Sequence, residues 1–231
     1  MEAIHRGRPK LAPDPEVRAA ILAAALAIVH EEGIGALGVS RVLARTQMST
    51  RAFYRHFDSK DQLVKAMFLE LAHIEMEPMQ QRMADEWPVR AVAAWIHGRL
   101  DLAFEQQAKS DSRHLSLEAY SQAVASPELV GPAYAVILRP LIDQIDRGTR
   151  LGLFADSHPA EEAMSIHGVV WATVERLWAT GNDDLSDVRK RTIRFCLRGL
   201  GVATQVIDEV IAGDGSSGWK PLSHNKVFHQ N

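Results

Sequence analysis

The chain is poor in cysteine and in long apolar runs, and each shortage excludes something. A single cysteine, Cys196, in 231 residues leaves no partner for an intrachain disulfide or a two-cysteine metal knuckle, and it fits a reducing compartment. No apolar stretch approaches the roughly 20 residues that a membrane helix needs, so no membrane partner is expected. The opening Met1-Glu2-Ala3-Ile4-His5-Arg6 has no apolar segment behind its charges. That pattern predicts no secretory signal and a cytoplasmic protein. Catalytic signatures are missing as well: no His-Glu-x-x-His zinc pattern, no Gly-x-Ser-x-Gly elbow, no Walker-type phosphate loop. Ser112, His114 and Glu118 sit close in sequence, but polar helix faces produce such sets by chance. The expectation is a chain that is not an enzyme and holds no metal and no cofactor. Alternating strand patterns are also absent, which points to an all-α fold.

What is present is ordinary in bulk and uneven in distribution. An apolar fraction of 46% and a charged fraction of 24% suit a globular protein with one large or two small domains. Net charge is −3, yet residues 1–60 hold nine Lys/Arg against six Asp/Glu, and the remainder holds 17 against 23. A basic front on an acidic body is the footprint of a modular DNA binder rather than of a protein that coats nucleic acid.

Residues 1–13 read as a flexible basic arm. Arg6-Gly7-Arg8-Pro9 resembles the core of an AT-hook: glycine lets the backbone approach the minor-groove floor, and Arg6 and Arg8 can insert into a narrow A·T groove. The first helix is predicted to begin at Asp14-Pro15-Glu16, with Asp14 as N-cap and Pro15 at the first helical position. Val17, Ile21, Ala24 and Ile28 make its apolar face, and Gly33 closes it.

Residues 38–63 are the most informative stretch. A short helix over 39–45 turns its Val39, Val42 and Leu43 inward. Thr46-Gln47-Met48 form a turn, and a second short helix runs over 50–56 behind the N-cap Ser49. Phe53 and Phe57 are expected to anchor it on the first helix. Ser59-x-x-Gln62 has the form of a capping box, so a fourth helix starts there with Leu63, Met67 and Leu71 inward. A unit of this size reads as a helix-turn-helix, whose second helix can lie in the DNA major groove.

Beyond it the chain reads as helices only. They are predicted over 88–104, near 113–125, from Ser126-Pro127-Glu128 with a kink at Pro140, from Asp156, Ser157 and Pro159 to about Ala179, and from Asp184 or Ser186 to Gly199. Gly213-Asp214-Gly215-Ser216-Ser217-Gly218 opens a flexible tail. The domain reading is thus a basic arm at 1–13, a helix-turn-helix domain at 14–60, a helical domain at 61–212 and a tail at 213–231.

Phe53-Tyr54-Arg55-His56-Phe57-Asp58-Ser59-Lys60-Asp61-Gln62-Leu63 resembles the Leu-Tyr-x-His-Phe-x-x-Lys-x-x-Leu signature of the TetR-type transcriptional regulators. Ile21-Leu22-Ala23-Ala24-Ala25-Leu26 in the first helix is also similar to that family. The likeness covers about 50 residues. It implies that Thr50 and Arg51 reach base edges, with Arg51 able to make a bidentate contact to guanine. It implies that Tyr54, His56 and Lys60 meet phosphates, and that Ser49 caps the helix and can also touch phosphate. Two departures stand out. Thr46-Gln47 replaces the family's Ala-Gly, which asks Gln47 for a left-handed conformation at a cost of roughly 1 kcal/mol. Gly38 stands where the family often has Thr, so either Gly38 or Ser40 caps the second helix.

The resemblance further implies an effector pocket and a homodimer interface in the C-terminal helices. For the pocket, the aromatic residues Trp95, Phe104, Tyr120, Tyr134 and Trp171 are candidates, with His97 and His167 as polar handles; His114 is a third. For the interface, Ile166, Val170, Val174 and Trp178 make a stripe on one helix, and Ile193 and Leu197 on the next. Two such helices from each of two chains can form a four-helix contact. The function implied is a repressor that binds a palindromic operator in double-stranded DNA and releases it when a small molecule binds. An activator of the same fold and a non-specific architectural DNA protein are the alternatives.

Overall fold

The computed structural model describes residues 14–108, 126–155, 158–180 and 184–213. Among these it is all helical. The elements are α1 (Pro15–Glu32), α2 (Val39–Thr46), α3 (Thr50–His56), α4 (Lys60–Met83), α5 (Pro88–Ala108), α6 (Pro127–Arg150), α7 (Pro159–Thr180), α8 (Leu185–Gly199) and α9 (Thr204–Gly213), with a short 3₁₀ turn over Ile34–Ala36. The chain divides after Met67 into two compact units. The predicted arm, the helix near 113–125, the Asp156-Ser157 helix start and the tail beyond Gly213 lie outside the described residues.

The N-terminal unit is set by local chemistry. Asp14 caps α1 by accepting a hydrogen bond from the Glu16 N–H at 3.0 Å, and Pro15 opens the helix. Gly33 ends it at φ 84°, its N–H returned to Val29 O at 2.9 Å. Gly38 rather than Ser40 takes the cap position of α2, without a side-chain bond. Gln47 closes α2 in the left-handed conformation, φ 54° and ψ 26°. It is the one non-glycine residue with positive φ among the described residues. Thr46 Oγ1 donates to Val42 O at 2.8 Å, which satisfies a carbonyl in the last turn of α2. The unit's core is Ile21, Leu22, Ala25, Ile28 and Val29 from α1, with Leu37, Val42, Phe53, Phe57 and Leu63. Phe53 and Phe57 are fully buried, 5.7 Å apart between ring centres. Burying each is worth about 2–3 kcal/mol, enough to hold a seven-residue helix that could not persist alone. Val17, expected inward, is only half-buried.

In the C-terminal unit α5 is central, packing against α6, α7, α8 and α9. Trp95, Ile96 and Leu100 of α5 are fully buried, as are Leu141 and Ile145 of α6. Helix α6 is assigned unbroken through both Pro132 and Pro140. It ends in a tight reversal: Leu153 N–H donates to Gly148 O at 2.9 Å, Gly152 takes φ 70°, and the Phe154 ring folds back over Gly148. The next residue ties this loop to the end of α8, its Ala155 N–H donating to Leu200 O at 3.0 Å. Asp184, not Ser186, caps α8 by accepting from the Ser186 N–H at 2.9 Å. Helix α9 was not anticipated. It buries Ile207 and Val210 against the same core, and its ten residues carry no cap signal strong enough to mark it. No helix among the described residues is long and apolar enough to cross a membrane.

Candidate nucleic-acid interface and helical-domain pocket

Helix α3 is held by Phe53 and by Phe57 at its C-cap, and presents Thr50, Arg51, Tyr54 and Arg55 outward. Ser49 accepts from the Ala52 N–H at 3.2 Å and so fixes the helix start. Thr50, Arg51, Tyr54 and Arg55 are exposed, as is Lys60 at the first position of α4. Tyr54 is 51% exposed and packs edge-on against Phe53 at 5.3 Å. His56 is half-buried, and its Nδ1 is buried without a hydrogen-bond partner among the described residues. Gln62 N–H donates to Ser59 Oγ at 3.1 Å, the N-cap bond of the expected box, while Gln62 Oε1 accepts from the Asp58 N–H one residue earlier, and the two bonds fix the helix entrance at Lys60.

The cations of this unit fall into two groups. Arg41 pairs with Glu32, and Arg45 holds both carboxylate oxygens of Glu31 at 2.7 and 2.6 Å. The bidentate bond holds the Glu31 carboxyl below its usual range and raises the Arg45 guanidinium. Arg18 stacks over the Phe57 ring at 5.4 Å. Arg51, Arg55 and Lys60, by contrast, form no ion pair among the described residues. An array of hydroxyl, guanidinium and ammonium groups on one short exposed helix and its neighbour's first turn suits phosphate oxygens and base edges. The predicted contacts Ser49, Thr50, Arg51, Tyr54, His56 and Lys60 therefore fall together, whereas Arg6 and Arg8 lie outside the described residues.

In the C-terminal unit a pocket of about 390 Å3, counting its open mouth, lies between α4, α5 and α7. Its polar wall is Glu75, Arg99 and His167; Val170, Trp171 and Trp178 are among its apolar lining. Glu75 and Arg99 pair at 2.9 Å and are mostly buried. Burial, with the nearby Arg99 charge, pushes the His167 imidazole down to about 4, so it is neutral at pH 7. Its ring lies 5.2 Å from Tyr134 and 6.3 Å from Trp95. The indoles of Trp171 and Trp178 are perpendicular at 5.7 Å, and Trp178 Nε1 donates to Ala103 O at 3.1 Å.

The seven predicted pocket residues separate here. His167 and Trp171 line the cavity. Tyr134 and Trp95 sit behind His167, and Trp95 Nε1 donates to Ile137 O at 3.2 Å. His97 is not on the pocket wall. It is buried beside Asp101, which pairs with Arg189, and burial followed by the Arg189 charge pushes it down to about 4. Phe104 is 42% exposed, and Tyr120 lies outside the described residues. Glu75 and Arg99 were missed. They stand 24 residues apart on different helices, and no spacing rule links them.

The stripe read as a dimer interface faces inward in the single chain. Ile166, Val170, Val174, Trp178, Ile193 and Leu197 are all buried within the single chain, in the core that α5 organises. Amphipathicity marks an inward face without saying what covers it. The exposed faces of the same helices carry Met164 at 55% and Phe195 at 65% exposure. Cys196 is buried, and burial pushes its thiol up to about 12, so it is no nucleophile in the folded protein.

Comparison with known proteins agrees with this geometry. Residues 21–67 match the family model described as bacterial regulatory proteins, tetR family. The fold resembles that of RolR in complex with resorcinol, at 18% identity and a TM-score of 0.62 over 85% of this chain and 93% of that one. It also resembles SmeT, the repressor of the Stenotrophomonas maltophilia efflux pump SmeDEF, at 21% identity and 0.57 over 79% and 89%. A third likeness is to a protein from Saccharomonospora viridis in complex with choline, at 15% identity and 0.57 over 78% and 94%. At these identities the likeness is one of fold. A comparison with curated protein sequences finds no significant match.

Proposed function

Starting from a chain that is a TetR-family regulator with a DNA-binding helix-turn-helix, we propose that it is a repressor which binds a palindromic operator as a homodimer and releases it when a small molecule enters the α4–α5–α7 pocket. The observation that carries the reading is the division of cations in the N-terminal unit: Arg41 and Arg45 are spent on Glu32 and Glu31, while exposed Arg51 and Lys60 form no ion pair among the described residues. In this reading Thr50 and Arg51 meet base edges, and Ser49, Tyr54, His56 and Lys60 meet phosphates. With its Nδ1 buried, His56 uses Nε2. Arg6 and Arg8 of the arm enter the adjoining minor groove.

The second copy docks on the outward faces of α7 and α8, where Met164 and Phe195 are exposed with Gly168 and Ala172. Repression and a small-molecule effector are supported by analogy with SmeT, a repressor, and with the ligand complexes of RolR and the Saccharomonospora protein. Release requires the effector to bind the non-DNA-binding state more tightly than the other.

The test is selection of bound sequences from a random duplex pool with the wild type and with Tyr54→Phe/Lys60→Ala. An enriched palindrome that the double variant loses supports a dimeric, sequence-specific regulator. Salt-sensitive binding with no enriched sequence overturns it.

A further inference from the structure

The polar wall of the pocket has a charge balance that selects among ligand classes, and the inference drawn from it rests on the sensor reading above. Glu75 and Arg99 use one oxygen, Oε2, and one nitrogen, Nη1, in their 2.9 Å pair. Among the described residues neither side chain makes another hydrogen bond. The second carboxylate oxygen and the remaining guanidinium N–H groups are therefore open to a ligand. His167 likewise makes no hydrogen bond among the described residues, and a neutral imidazole offers one donor and one acceptor. The wall carries one negative charge, one positive charge and one neutral ring.

A cation entering the pocket meets Arg99, and an anion meets Glu75. Either must displace a mostly buried ion pair, which is costly because it leaves one charge uncompensated. A hydroxyl group does neither. It donates to Glu75 Oε1 while accepting from Arg99 or His167. The lining also includes the perpendicular indoles of Trp171 and Trp178, aromatic surface against which a ring can pack. We propose that the effector is a small, uncharged aromatic molecule bearing a hydroxyl group, held between Glu75–Arg99–His167 and the two indoles.

The test uses full-length protein at about pH 7.5, where phenol is neutral, benzoate anionic and benzylammonium cationic. Phenol, toluene, benzoate and benzylammonium are titrated by calorimetry and by indole fluorescence. Phenol is expected to bind saturably and about tenfold more tightly than each of the others, the worth of one well-made hydrogen bond pair. Glu75→Gln leaves the Arg99 charge uncompensated, so it is expected to weaken phenol and to tighten benzoate about tenfold. Arg99→Gln is expected to shift the preference towards benzylammonium instead, and it serves if the first variant unfolds. A wild type that prefers benzoate, benzylammonium or toluene, or that binds none of the four, overturns the assignment. Operator affinity is measured separately with each probe. Operator release by benzoate alone sinks the ligand class and leaves the sensor standing. Tight phenol binding with unchanged operator affinity supports the pocket chemistry and sinks the sensor.

Discussion

Arg45 of α2 grips Glu31 of α1 through two nitrogens, at 2.7 and 2.6 Å, and thereby withdraws a cation from the surface that carries α3. Lys60 has no such partner among the described residues. The two residues are therefore expected to separate in the salt dependence of operator binding. Lys60→Ala lowers the slope of log K against log salt by about 0.9, the loss of one phosphate contact. Arg45→Gln leaves the slope close to that of the wild type. Filter binding or fluorescence anisotropy across a salt series measures both.

Gln47 occupies a conformation that glycine adopts freely, at φ 54°. Gln47→Gly relieves roughly 1 kcal/mol of local strain, partly offset by the greater freedom of the unfolded chain. A small net stabilisation is expected. Gln47→Val, branched at Cβ, is expected to destabilise the unit by more than 1 kcal/mol. Chemical denaturation of the three proteins gives the order Gly, Gln, Val if the turn has this geometry.

The loop after α6 depends on the absence of one carbon. A Cβ on Gly148 would lie 2.1 Å from Phe154 Cε2, and the Phe154 ring is 5% exposed. Gly148→Ala must push the ring out or shift the helix end. A loss of about 1–3 kcal/mol is expected, in the range for overpacked cores. Gly131→Ala, with nothing near its Cβ, is the control and is expected to be neutral or stabilising. Thermal denaturation distinguishes them.

His97 and His167 are both pushed down to about 4 from an ordinary 6.5, by burial first and a nearby arginine second. The unfolded chain takes up these protons as pH falls below 6.5, whereas the folded chain waits until about 4. Stability is therefore full above pH 6.5 and is lost as pH drops from there towards 4, on the order of 3 kcal/mol for each histidine. His167→Phe is expected to flatten the profile across that window. Urea midpoints at pH 8, 6, 5 and 4 would show a parallel fall in both proteins if His167 contributes nothing.

The outward faces of α7 and α8 are expected to meet a second copy. Phe195, 65% exposed, is the largest apolar side chain there, and Phe195→Glu places a charge where burial is required. Light scattering is expected to show a dimer for the wild type and a monomer for the variant, with far-ultraviolet circular dichroism unchanged. A variant that stays dimeric moves the interface elsewhere.

Local chemistry by itself determined the N-terminal unit. The Asp14 and Ser49 caps, the Gly33 stop, the left-handed Gln47 and the Ser59 cap of α4 are each settled within about four residues of chain, and the inward Phe53 and Phe57 follow from the helical period. The aligned hydroxyls and cations of α3 were legible for the same reason, since one helix turn brings them to one face. Past residue 67 the same reading found helices but not their partners. A stripe such as Ile166, Val170, Val174 and Trp178 must be covered, and sequence periodicity is the same whether its own chain or a second one covers it. Only the tertiary structure decided that its own chain covers it, with α5, α6 and α8 packed against α7. Only the packing of α4 and α5 brought Glu75 to Arg99, and only it took His97 away from the cavity and into a buried cluster with Asp101 and Arg189. Those pairings join residues on different helices, where distance along the chain carries no information about distance in space.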